Sequence, residues 1–280
     1  MTPKTVKKLE EFFRAFTSAS RPLLLLDYDG TLAGFRVDRF KARPWACVRE
    51  LLTGIQREGR TRMAVITGRP PEEIAPMLAL DPPLEVWGLH GAERLRSGGR
   101  REQAKIPAGA RRKLDEVRAR LRQDALGGLY EDKPNAAVVH WRGHAPAKAR
   151  QIEQRTRALF EPLARLEGLT LLEFEAGLEL RGGRDKGGAV RELLREHARG
   201  APCTYLGDDV TDEEAFRAIN QAAAPHLSVL VRRARRKTAA DVWLRPPEDL
   251  RGFLRMWLDA LKMSAAAPAG RGTRTRRAKG

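Results

Sequence analysis

Short, unbroken apolar runs that stop abruptly on small or acidic residues constrain this chain more than any other feature. The four leucines Leu23 to Leu26 run straight into Asp27-Tyr28-Asp29-Gly30. "MAVI" ends on Thr67-Gly68-Arg69, "VWGL" on His90-Gly91, and "TYLG" on Asp208-Asp209. Runs this short and this apolar suit strands buried on both faces, as in parallel sheets covered by helices. Between them lie segments with helical spacing. Val6, Leu9, Phe12, Phe13 and Phe16 form one such face, and "PWACVRELLTGIQREG" reads as a helix with Pro44 near its start and Gly59 past its end. The resulting β-α-β-α-β rhythm predicts an α/β fold with a parallel sheet.

After residue 100 the rhythm changes. "GARRKLDEVRARLRQDA" and "PAKARQIEQRTRALFEPLARL" read as charged helices. "GGLYEDKPNAAVVHWRG" reads as two strands around a Lys133-Pro134-Asn135 turn, and "LTLLEFEAGLELRG" as a hairpin turning near Ala176-Gly177. This is an α+β unit inserted into the first domain, after which the α/β pattern resumes from Asp185. The expected boundaries are a discontinuous core of residues 1–104 and 183–262, an inserted domain of residues 105–182, and a tail of residues 263–280. From residue 264 the tail carries Arg271, Arg274, Arg276, Arg277 and Lys279, no acid and no large apolar residue, so it is expected to be disordered.

Charge and cysteine use narrow the function classes. The net charge of +17 suggests an anionic partner. No nucleic-acid module is visible, and aromatics, at 6%, are not interleaved with a basic stripe, so no specific nucleic-acid binding is expected. Cys47 and Cys203 are far apart and form no metal-ligand spacing, which predicts a reduced, cytoplasmic protein. The N-terminus has no apolar stretch of signal-peptide length. "PLLLL" is far shorter than the roughly 20 apolar residues that cross a bilayer, so no membrane partner is expected.

In an open parallel sheet, ligands bind outside the carboxyl ends of the strands. Asp27 and Asp29, Thr67 to Arg69, His90, and Asp208 and Asp209 all fall there. Carboxylates gathered at one sheet edge repel unless a cation neutralises them, and a hard divalent cation with oxygen ligands is the economical answer. Turn or cap formation is the alternative for either aspartate pair alone. Thr211 and Glu214 also fit the S/T-x-x-E pattern of a helix capping box.

Four motifs in order, "DYDGT" at 27–31, "ITGR" at 66–69, Lys186 in "RDKGGAV" and "GDDVTDE" at 207–213, resemble the haloacid dehalogenase superfamily of phosphotransferases. "GLHGAE", "EDKPNAAVVHWR", "LELR" and "YLGDDVTDEEAF" resemble its trehalose-6-phosphate phosphatase branch. Leu89 and Trp141 stand where polar and Tyr residues are common in that branch. The resemblance implies a Rossmann-like core with an inserted α+β cap. It also implies Mg2+-dependent hydrolysis of trehalose 6-phosphate through an aspartyl-phosphate, and allows a functional pairing with a trehalose-6-phosphate synthase. A phosphatase of another sugar phosphate, such as sucrose phosphate, mannosylglycerate phosphate or a hexose phosphate, is the competing reading. A non-catalytic sugar-phosphate-binding subunit is a third.

Carried over by position, the resemblance makes Asp27 the nucleophile and Asp29 the proton shuttle. Thr67 and Lys186 become the groups that bind the transferring phosphoryl. Asp27, Asp208 and the main-chain carbonyl of Asp29 are the implied metal ligands, with Asp209 and Asp212 orienting metal-bound water. Gly30 and Thr31 are expected to turn backbone N–H groups toward the phosphate, and Gly68 to allow close approach. His90 and Gly91 border the cleft, and Arg69 is a phosphate or cap contact, equally readable as a structural ion pair. Lys133, His140, Arg142 and Glu179 are the implied sugar readers, with His140 equally readable as an ordinary strand histidine.

Overall fold

The structure, a computed structural model, describes residues 2–17, 20–36, 38–123, 129–133, 135–166, 168–174 and 176–266. The basic tail from residue 267, and Pro134 of the expected turn, lie outside the described residues. The chain divides into two compact units, one of Met1–Val65, Ala75–Leu84 and Val190–Gly280, the other of Ile66–Ile74 and Glu85–Ala189.

The first unit is built on β1 (Leu23–Leu26), whose residues are all buried. It lies between β2 (Arg62–Ile66) and β10 (Cys203–Gly207), parallel to both, with Leu23 opposite Arg62 on one side and Cys203 on the other. Next to β10 comes β11 (His226–Val231), then β12 (Val242–Leu244), again parallel. The order β12-β11-β10-β1-β2 puts the leucine run in the interior, where both faces are covered. β12 was not legible in the sequence, because three residues carry too little periodicity.

Two helices seal one part of this core. The helix α1 (Pro3–Phe13) starts under a Thr2 cap, whose hydroxyl accepts from Thr5 N–H at 3.2 Å. The rings of Phe12, Phe13 and Phe16 pack around Trp257 of α8 (Glu248–Ala266) with centroids 5.0–6.1 Å away. Trp257 is fully buried and its indole N–H donates to Thr61 Oγ1 at 3.0 Å. The helix α8 runs past residue 262, so residues 263–266 of the expected tail are helical. Pro44 does not open a helix: α2 (Val48–Arg57) begins after Cys47, which is left-handed at φ 66°. Pro44 instead bridges Ala33, and Trp45 N–H donates to Leu32 O at 2.9 Å.

The second unit holds two antiparallel arrays. The strands β3 (Glu85–Gly88), β4 (Glu93–Leu95) and β5 (Arg101–Gln103) form a meander; the last two are short and charged, and the sequence did not announce them. The other array, in order β6-β7-β9-β8, comprises β6 (Tyr130–Lys133), β7 (Ala136–His140), β9 (Gly177–Gly182) and β8 (Leu169–Phe174). Alternation decides its two faces. Ala137, Val139, Leu178 and Leu180 pack into one core with Leu114, Val117 and Leu121 of α4 (Ala108–Gln123) and Ile152 and Phe160 of α5 (Pro146–Phe160). α5 stops short of Pro162 rather than running to residue 166. The opposite face carries Glu131, Lys133, His140, Glu179 and Arg181, as the register of β6, β7 and β9 requires.

Trp257→Ala should destabilise the first unit by about 3–5 kcal/mol, the usual cost of emptying a buried aromatic site. Urea denaturation measures it, and a cost under about 1 kcal/mol would contradict the packing described.

Candidate functional site

The first unit gathers the acidic residues. β1 hands over to Asp27 without a break, since Asp27 N–H continues the ladder to Leu206 O at 2.8 Å. Asp27 is 3% exposed and Asp208, at the end of β10, is 4% exposed. Carboxylate oxygens of Asp27, Asp208 and Asp212 all lie within 4.8 Å of one another, a grouping that could hold a metal ion. It is the one such cluster among the described residues.

Each carboxylate is steered by its own surroundings. Thr31 Oγ1 donates to Asp27 Oδ2 at 3.3 Å. Asp212 Oδ2 accepts from the backbone N–H of Asp208 at 3.0 Å and of Asp209 at 2.9 Å, while Tyr205 donates its phenol proton to Oδ1. Burial, together with the Asp212 and Asp27 carboxylates, pushes the Tyr205 phenol well above its ordinary value, so it stays a donor. Asp212 thus shares the buried group while ordering the loop beneath it. Asp209 is exposed, and its carboxylate stands 3.6 Å from Arg232. The capping box expected at Thr211 and Glu214 forms elsewhere, between Asp209 and Asp212. Asp212, the residue before α7 (Glu213–Asn220), makes no side-chain cap, and Glu214 pairs with Arg217.

Two glycines make the grouping sterically feasible. A Cβ on Gly30, at φ +79°, would fall 2.1 Å from Asp208 Oδ2. A Cβ on Gly207 would fall 2.4 Å from Asp212 Cγ. The Gly30 N–H, expected to face an anion, is taken by Ala33 O at 2.7 Å; what Gly30 contributes is space. Asp29 is half-buried and Thr31 fully buried on the same loop. Arginines brace the Asp208 loop from outside: Arg232 Nη1 donates to Asp208 O at 3.2 Å and Arg236 Nη2 to Asp209 O at 2.7 Å.

The second unit gathers the basic and neutral residues. Thr67 is 1% exposed, and its hydroxyl oxygen accepts from Arg69 N–H at 3.2 Å, so its own proton is left to donate. Arg69 is buried and pairs with Glu73 at 3.5 Å. Leu89 and His90 are both left-handed, at φ 48° and 58°. Hydrogen bonds from Leu89 N–H to Arg69 O and from His90 N–H to Thr67 O hold this strained turn against the Thr67 loop. The turn brings the His90 ring so close to Gly68 that a Cβ there would sit 2.6 Å from Nε2. Gly91, at φ +101°, packs on the start of α6 (Lys186–Glu196), where a Cβ would meet Asp185 O at 2.8 Å. Lys186 is 3% exposed at that helix's first position, and Asp185 accepts from Gly188 N–H at 2.6 Å.

On the polar face of the β6–β9 sheet, Glu179 is 5% exposed and held from both sides. Arg181 Nε donates to Oε1 at 2.6 Å and Lys133 Nζ to Oε2 at 3.2 Å. Arg181 is a residue that reading the sequence missed; the two-residue alternation in "LELR" places it on the same face as Glu179. His140 hydrogen-bonds Glu131 at 3.0 Å and its ring lies 5.4 Å from that of Phe174. Arg142 is exposed beyond the end of β7.

The charges around His90 fix its protonation. Burial first, then Arg181, Lys186 and Lys133, hold its imidazole well below its ordinary value. The unfolded chain takes up a proton as pH falls below about 6.5 while the folded chain does not, so folding stability is lost in that window. Wild type should therefore lose more stability between pH 7 and pH 5 than His90→Gln, as read by urea denaturation at both pH values. Equal losses would contradict a neutral His90. In the acidic group, Gly30→Ala should displace Asp208. Any thermal stabilisation by an added divalent cation should then disappear, as read by melting with and without the cation.

A family model described as trehalose-phosphatase matches residues 25–247. A trehalose-phosphate phosphatase of Mycolicibacterium paratuberculosis is 29% identical over 252 residues, covering 86% of this chain and 63% of that protein. One from Mycobacterium marinum is 31% identical over 210 residues, covering 71% of this chain and 52% of that protein. The chain therefore spans about half to two thirds of these relatives' length. Among solved structures, trehalose-6-phosphate phosphatase of Aspergillus fumigatus aligns with a TM-score of 0.69 at 25% identity, covering 91% of this chain and 97% of that one. No helix among the described residues is long and apolar enough to cross a membrane.

Proposed function

The chain belongs to the trehalose-phosphatase family, and from that premise we propose that it hydrolyses trehalose 6-phosphate to trehalose and phosphate with Mg2+. The observation that carries the reading is the buried group of Asp27 and Asp208, directly after two neighbouring parallel strands, with Asp212 of the following loop. Three oxygen donors on a hard, anionic site suit Mg2+, which takes one or two carboxylates and keeps water and phosphate as its other ligands. Asp27 and Asp208, with the Asp29 carbonyl, are the proposed ligands. Bound there, the ion neutralises charge on the phosphoryl group.

The chain's own residues then do the following. An Asp27 carboxylate oxygen attacks phosphorus, the bond to the sugar oxygen breaks, and Asp29 gives its proton to that leaving oxygen. A water then attacks the aspartyl-phosphate, yields its proton to Asp29, and releases phosphate and the free Asp27 carboxylate. Thr31, bonded to Asp27 Oδ2, fixes the nucleophile's rotamer. Thr67 donates its hydroxyl proton to a phosphoryl oxygen and Lys186 offsets its charge. Gly68, Arg69, His90 and Gly91 support Thr67 and Lys186. Asp212 and Asp209 order the Asp208 loop.

The proposed domains are a core of residues 1–104 and 183–262 with a cap of residues 105–182. The cap's polar face, with Lys133, Glu179 and His140, and Arg142 beyond it, reads the sugar. Two free cysteines, Cys47 and Cys203, suit a reducing cytoplasm, and a trehalose-6-phosphate synthase is the natural metabolic partner.

Phosphate release from trehalose 6-phosphate, with Mg2+ and with EDTA, tests the proposal against a panel of sucrose, mannosylglycerate and hexose phosphates. Turnover is expected with Mg2+, and less than about 1% of it with EDTA or in Asp27→Asn, given the scale of losses when a nucleophile is removed. A panel member preferred by orders of magnitude would overturn the substrate, and an active Asp27→Asn the mechanism.

A further inference from the structure

Next to the acidic group the first unit opens a cleft of about 530 Å³, of a size that holds small-molecule ligands. Gly30 and Asp208 lie in its lining, so it reaches the proposed reacting groups. Three arginines line it, Arg36, Arg232 and Arg233, against the single acid Asp208. Arg232 is engaged by Asp208 O and Asp209. Arg36 and Arg233 are exposed, and neither has a hydrogen bond or ion pair among the described residues. Solvated surface arginines are common, but here they share a concave wall with apolar groups. Trp45 is fixed by its indole bond to Thr31 O at 3.2 Å and by contact with Gly34, where a Cβ would fall 2.6 Å from Cη2. Phe35, 71% exposed, stands in the same lining.

We propose that this cleft is a second anion subsite that takes a phosphate group. Guanidinium forks match phosphate oxygens in pairs, and a charged cleft with low-dielectric walls focuses its field on the ligand. Two arginines with no carboxylate partner among the described residues bind such an anion without breaking an internal pair there. Its role as a place where phosphate waits or departs rests on the phosphatase reading above; the anion binding itself does not. The phosphate comes either from the free product or from an incoming monoester.

Equilibrium titration of the full chain with inorganic phosphate, in Mg2+ at low salt, tests the subsite and needs no turnover. Methylphosphonate, which resists hydrolysis, serves as the monoester probe in a parallel arm. The double variant R36Q/R233Q should lose one equivalent of bound anion, or weaken it at least about tenfold, the scale of one lost charge-assisted pair. Its fold, by circular dichroism, should match wild type, so that a lost equivalent reports on the arginines and not on unfolding. Loss for inorganic phosphate alone assigns the subsite to product, and loss for both probes assigns it to the phosphate group generally. Unchanged stoichiometry and affinity for both probes would overturn the proposal. A trehalose 6-phosphate assay that fails while the titration succeeds would overturn only the substrate reading.

Discussion

Mutual repulsion among Asp27, Asp208 and Asp212 is the constraint on which the rest depends. Two unit charges about 4 Å apart repel by about 4 kcal/mol at an effective dielectric near 20, and here three oxygens fall within 4.8 Å. Part of that cost is met inside the protein: a phenol and two amide N–H groups solvate Asp212, and a hydroxyl reaches Asp27. Parallel strands supply the geometry, because neighbouring strands β1 and β10 deliver their last residues to the same edge in register. The cation proposed for this group would complete the balance, so the fold and the proposed chemistry are two sides of one electrostatic requirement.

The β6–β9 sheet solves a different problem with the same alternation. One face spends its residues on a helix-backed core, and the other holds charges that would be costly if they were not paired. Glu179 between Lys133 and Arg181 forms a compact set with two bases against one acid. Such a set is rigid, and it offers donors and acceptors to hydroxyl groups better than it offers a strong field to a second anion.

The sequence announced those features that rest on a local pattern. The apolar runs named β1, β2, β10 and β11, and the residues after β1 and β10 named Asp27 and Asp208; Asp212, the third of the acidic group, lies beyond the strand end and came only with the resemblance. β4, β5 and β12 escaped because strands of three residues depend on their neighbours for stability. Pro44 misled because proline opens helices as readily as it ends an extended bridge. The Thr211–Glu214 pattern lost to Asp209–Asp212, since the box closes two residues earlier and its Asp212 also accepts from Asp208 N–H. Tyr205 acts through Asp212 in the loop that follows its strand, a pairing that periodicity does not reveal; Arg181 stands two residues from Glu179 on one strand, where alternation alone pairs them.

Gly30 and Gly207 carry a consequence for descent. Each shelters one carboxylate so closely that a single methyl group would occupy the same space. The glycine and its aspartate therefore behave as one heritable unit. A lineage can keep both or abandon both, but a stepwise path through either single change passes through a collapsed site. Variation should accordingly be sparse at Gly30 with Asp208 and at Gly207 with Asp212.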